Sequence, residues 1–167
     1  MFDSALRESA QKLLIDLEAR SLMMVTAESC TGGLISALLT EIPGSSTVIE
    51  RAYVTYSNEA KMQCLGVPQD MLDTHGAVSQ PVAIAMAEGA IGNSNAQVAV
   101  AVTGIAGPGG ETPGKPVGLV HVAAAREGRP TAHQECRFGD IGRSEVRLET
   151  VRAAIDLLSS QLTASTD

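Results

Sequence analysis

Leu22-Met23-Met24-Val25-Thr26-Ala27-Glu28-Ser29-Cys30-Thr31-Gly32-Gly33-Leu34-Ile35-Ser36-Ala37-Leu38-Leu39-Thr40 is the stretch that sets the fold. Residues 22–26 are a short apolar run of strand length and read as a buried strand. Residues 34–40 carry apolar side chains at helical spacing. Between them lies a turn made of hydroxyls, a thiol, an acid and two glycines. A strand that feeds straight through a polar turn into a helix is the opening unit of a layered α/β domain.

Outward from this unit the alternation continues. Residues 3–20 read as a helix, with Leu6, Ala10, Leu13, Leu14 and Leu17 on one face and Asp3 or Ser4 as its cap. Residues 48–57 read as a strand, and a short helix over 58–65 ends at Gly66. Ser79 is the expected cap of a further helix running to about Ile91, with Pro81 in its first turn. Residues 97–102 are a second buried strand. Residues 117–125 and 131–138 flank a turn at Gly128, and the latter alternates like a half-exposed edge strand. Residues 142–162 form a closing helix with Val146, Val151, Ala154, Ile155, Leu158 and Leu162 inward. The expected fold is one α/β domain over residues 1–167 with a mixed sheet, because the last two strands form an antiparallel hairpin.

Composition narrows the function. The net charge of −7 argues against a broad nucleic-acid surface, though a few converging cations could still hold a small anion. Cys30, Cys64 and Cys136 are odd in number and scattered, so neither a disulfide framework nor a zinc site is expected. Residues 1–20 carry charges throughout, with no signal-peptide core, and no apolar run reaches membrane length. A cytoplasmic protein is the expectation. The absence of Trp, with only two Phe and two Tyr, leaves small aliphatic side chains to fill the core.

Three segments could carry chemistry. Residues 28–33 offer hydroxyls and free N–H groups at a helix start, which suits a phosphate or carboxylate. They read equally as an ordinary cap with packing glycines. Residues 103–110 hold four glycines and a proline at a strand's C-terminal end, where open α/β sheets place ligands. That loop is either an anion nest or oxyanion hole, or a flexible connection. Gly44-Ser45-Ser46, with Tyr53, Tyr56 and Lys61, is the third. A serine needs a base, and a buried lysine of lowered pKa can serve. Lys61 is otherwise a solvated surface residue, and Arg143 is either an anion clamp or a surface arginine. His75, His121 and His133 are scattered and read as structural.

Together, several segments resemble one family: residues 27–33, Pro43-Gly44-Ser45-Ser46, residues 53–61, Gly76-Ala77-Val78-Ser79, residues 103–108 and Lys115-Pro116-Val117-Gly118. The chain is similar, over about 5–162, to the CinA C-terminal domain family, which includes stand-alone nicotinamide-nucleotide amidohydrolases. The resemblance implies a three-layer α/β/α domain. It also implies hydrolysis of the amide of nicotinamide mononucleotide, in NAD precursor recycling, without metal or other cofactor. The family's pyrophosphatase activity belongs to a separate N-terminal domain and is not carried over.

By the same resemblance, Ser46 is the nucleophile and Lys61 its base, with Tyr56 assisting. Ser29 is the alternative nucleophile. Glu28, Thr31, Gly32, Gly33, Ser45, Thr103, Gly104, Gly107 and Arg143 would bind substrate. Either version requires both serines to lie near Lys61. A homo-oligomer is plausible, with no nucleic-acid or membrane partner expected.

Overall fold

A computed structural model describes residues 2–163. The elements are α1 (Ser4–Ala19), β1 (Met24–Glu28), α2 (Leu34–Glu41), a 3-10 turn (Ser45–Thr47), β2 (Ile49–Val54), α3 (Asn58–Leu65), α4 (Gln69–His75), α5 (Gln80–Gly92), β3 (Val98–Gly104), β4 (Leu119–Arg126), β5 (Ala132–Arg137) and α6 (Arg143–Thr163). The five-stranded sheet has the order β2-β1-β3-β4-β5. Its first three strands are parallel and the last two join antiparallel, so the mixed sheet and the edge position of β5 agree with the sequence reading.

Side-chain alternation divides the core in two. On β3, Val98, Val100 and Val102 pack with α1, α2 and α6, while Ala99 and Ala101 face the α5 side. The alanine-rich face lets α5 lie close, and α5 answers with Ala83, Ala87 and Ala90. On its other flank α5 meets the end of α3, where a Cβ added at Gly89 would meet the Leu65 carbonyl oxygen at 1.9 Å. Small residues thus replace the missing aromatics by allowing close backbone packing.

Three local expectations change. The first strand occupies Met24–Glu28 rather than 22–26. Ser79 holds the N-cap position of α5 as expected, but its hydroxyl donates to the Gly76 carbonyl at 2.8 Å rather than accepting from the helix N–H groups. Helix α4 is an addition to the expected elements: it has seven residues and Leu72 alone is buried, too little for a periodic signal. By contrast, Asp3 caps α1 through the Leu6 N–H at 2.8 Å, and Gly66 ends α3 in a left-handed conformation at φ 67°.

The topology places a crevice. From β1 the chain crosses through α2 to β2 on one side, whereas β3 lies on the other. The carboxyl ends of β1 and β3 therefore flank a point where strand order reverses, where open α/β sheets hold ligands.

Candidate active site

Strand alternation sorts the residues at the end of β1. Met24 belongs to the core beneath α1, α2 and α6, and Val25 and Ala27 to the core beneath α5. With period two, Glu28 falls on the α2 side and Ser29 on the other, toward α3. Lys61 reaches Ser29 from α3. Its Nζ lies 3.1 Å from Ser29 Oγ and 2.8 Å from the Thr55 carbonyl oxygen, to which it donates. Lys61 is 1% exposed, and its burial lowers the pKa from the ordinary lysine value, with a smaller opposing effect from Cys30. Nζ donates to both oxygens; once deprotonated it could keep the Thr55 bond and turn its lone pair to the serine hydroxyl.

These groups line a cleft of about 230 Å³ with Cys30, Tyr56, Asn58, Ala77, Val78, Thr103, Gly104, Ala106 and Arg143. Thr103 comes from β3 and donates to the Ala77 carbonyl at 2.9 Å, fixing the wall formed by the loop before α5. Arg143, the first residue of α6, donates to the Gly107 carbonyl at 2.7 Å and to Tyr56 Oη at 3.0 Å. Tyr56 is 61% exposed, so this guanidinium and phenol sit at the mouth while Lys61 lies at the base. Burial pushes the Cys30 thiol up to about 12, which keeps it protonated beside the serine. A larger depression of about 430 Å³, at Glu111, Pro116, Val117 and Arg137, contains no serine, cysteine or lysine.

The profile of the CinA C-terminal domain matches residues 6–162. This chain belongs to that family. It is 44% identical to the nicotinamide-nucleotide amidohydrolase PncC of Escherichia coli K12, over 99% of this chain and 100% of that protein. It is 58% identical to a putative competence-damage inducible protein of Symbiobacterium thermophilum over 113 residues, 68% of this chain, and spans only 26% of that relative. The solved structure of competence/damage inducible protein CihA from Agrobacterium tumefaciens superposes with a TM-score of 0.95 at 51% identity, covering 98% of this chain and 99% of that one.

Against the family resemblance, the residues divide sharply. Lys61, Tyr56, Ser29, Thr103, Gly104 and Arg143 converge on the cleft, and Gly107 joins through its carbonyl. Ser46 does not. It stands in the 3-10 turn before β2, whereas Lys61 follows the end of β2. Six strand residues at roughly 3.3 Å each put the two ends about 20 Å apart. Ser45 is buried beside α1, lining a different hollow with Gln11, Leu14 and Ile42. The requirement that both serines lie near Lys61 fails, and Ser29 alone meets the lysine.

Glu28, Thr31, Gly32 and Gly33 do not line the cleft either. The anion cradle at the start of α2 exists, but Glu28 fills it. Its carboxylate accepts from the N–H groups of Gly33 and Ile35 at 3.0 Å and of Ser36 at 2.9 Å. The Thr31 hydroxyl donates to it at 2.7 Å. Gly33 supports this wrap by entering the helix at φ 99°, open to glycine at little cost. The 103–110 loop is partly committed as well, since the Ile105 N–H is taken by the Leu119 carbonyl at 2.9 Å.

Two contributors escaped the sequence reading. Asn58 lines the cleft one helical turn before Lys61 on α3, and the three-residue spacing is the signal that could have found it. Arg147, one turn beyond Arg143 on α6, donates to the Thr31 carbonyl at 2.7 Å and braces the serine loop from outside. His121 and His133 pair with each other at 3.0 Å, and burial holds both below the ordinary histidine value. Among the described residues, no group of three or more His, Cys, Asp or Glu is placed to hold a metal ion, and no helix is long and apolar enough to cross a membrane.

Proposed function

We propose that this chain hydrolyses the carboxamide of nicotinamide mononucleotide to nicotinate mononucleotide and ammonia, with Ser29 as nucleophile and Lys61 as its base. The observation that carries this reading is the buried Lys61 Nζ 3.1 Å from Ser29 Oγ inside a cleft. The full-length similarity to an E. coli protein named for that reaction supports the choice of substrate.

Neutral Lys61 takes the Ser29 proton as Oγ attacks the amide carbon. The resulting ammonium returns that proton to the departing nitrogen, the C–N bond breaks, and ammonia leaves an ester on Ser29. Lys61, neutral again, then deprotonates a water that cleaves the ester and restores the hydroxyl. No metal ion enters this sequence. Arg143 at the mouth suits the phosphate, its planar donors matching phosphate oxygens, and Tyr56 beside it orients the ring or sugar.

The deciding experiment is ammonia release from nicotinamide mononucleotide in the presence of EDTA. Wild type is expected to turn over, and Ser29→Ala and Lys61→Ala to lose on the order of a hundredfold or more in kcat. A wild type that binds the nucleotide without releasing ammonia would make the chain a nucleotide-binding module instead.

A further inference from the structure

Glu28 is completely buried on the side of β1 opposite to the cleft, so no substrate touches it. Yet its carboxylate organises the whole turn that carries Ser29. Oε2 accepts from the Thr31 hydroxyl at 2.7 Å and from the Gly33 and Ile35 N–H groups at 3.0 Å. Oε1 accepts from the Ser36 N–H at 2.9 Å and from the Thr26 hydroxyl at 3.4 Å. A carboxylate is an acceptor on both oxygens, so it can gather donors from the strand, the turn and the first turn of α2 at once. The partial positive charge of that helix start compensates its own.

The backbone of Glu28 continues the connection to the base. Its carbonyl accepts from the Thr55 N–H at 2.8 Å, and the Thr55 carbonyl accepts from Lys61 Nζ at 2.8 Å. One residue therefore fixes the serine loop through its side chain and the lysine anchor through its main chain. On this geometry we propose that Glu28 is the positioning residue for the Ser29–Lys61 pair, an inference that rests on the reading of Ser29 as nucleophile. Arg147, on the Thr31 carbonyl, closes the same turn from outside.

Glu28→Gln tests the need for two acceptor oxygens, because the new amide nitrogen would face N–H donors. Thr31→Val removes one donor with little change in shape, and Thr31→Ser returns it. Turnover of nicotinamide mononucleotide is measured alongside the folded fraction from circular dichroism. Glu28→Gln is expected to lower kcat by about thirtyfold with KM changed less than about threefold, since Arg143 on α6 and Tyr56 in the turn after β2 hold each other and make no contact with the Glu28 side chain. Thr31→Val should lose about tenfold in kcat, and Thr31→Ser should recover most of it. If Glu28→Gln fails to fold, the threonine pair decides. The proposal is overturned if Ser29→Ala is inactive while Glu28→Gln or Thr31→Val keeps the wild-type kcat. It is equally overturned if every loss follows the folded fraction or Thr31→Ser fails to rescue. A Ser29→Ala protein that still turns over removes the nucleophile assignment itself, a separate result.

Discussion

Two serine-bearing turns stand at opposite ends of the parallel strands. Ser29 follows β1 at its carboxyl end, and Ser46 precedes β2 at its amino end. Both turns are short, and both have glycine and a second hydroxyl close by. Their surroundings differ in what matters. Ser29 meets a buried lysine, a cleft, and a loop tied down by Glu28 and Arg147. Ser46 is exposed on a single turn whose neighbour Thr47 spends its hydroxyl on the Gly44 carbonyl. A hydroxyl becomes a nucleophile through its base and its placement, so position along the strands separates two turns that composition does not.

The strongest way to break this contrast is kinetic. Ser46→Ala should keep kcat within about twofold of wild type while Ser29→Ala loses on the order of a hundredfold or more. Ammonia release measures both, and the reverse pattern would return the nucleophile to the β2 turn. Next in size, Arg143→Ala should raise KM for nicotinamide mononucleotide by about tenfold or more and change kcat less, as loss of a charge-assisted contact at the mouth predicts.

A pH series sharpens the contrast further. Because burial lowers the Lys61 pKa, activity should rise with pH through that lowered value, and Lys61→Ala should erase the limb. Stability carries the same signature. Between the lowered folded value and the ordinary 10.5, the unfolded chain binds more protons than the folded one at this site, so the Lys61 contribution becomes more favourable as pH rises. Lys61→Met should therefore gain melting temperature over wild type at pH values below that window, with the gap narrowing as pH climbs through it. The smallest expected effect is the stability of Ser46→Ala, within about 0.5 kcal/mol of wild type by denaturant unfolding, as for other exposed substitutions away from special contacts.

Much of the site was legible, but in pieces. The seven-residue segment at 27–33, the Tyr-rich strand leading to Lys61, the glycine loop after the 97–102 run and Arg143 were all visible as candidates. Ending the first strand at Thr26 concealed the most informative pattern. Carried through to Glu28, the period of two sends Glu28 toward α2 and Ser29 toward α3, which separates the buried acid from the hydroxyl that meets Lys61. Asn58 was legible by the same kind of spacing. Arg147 was not, because its contact with Thr31 joins residues 116 positions apart.

The sequence by itself determined the layered α/β class, the antiparallel hairpin at the sheet's edge and the apolar face of α6. These follow from periodicity and turn residues, which act over a few positions. Only the tertiary structure decided which serine meets Lys61 and what fills the cradle at the start of α2. Those outcomes depend on β1 lying between β2 and β3, with α2 on one face and α3 on the other. Chain order tells which end of its own strand each turn occupies, but strand neighbours and helix faces are set by contacts between distant residues, which leave no local trace.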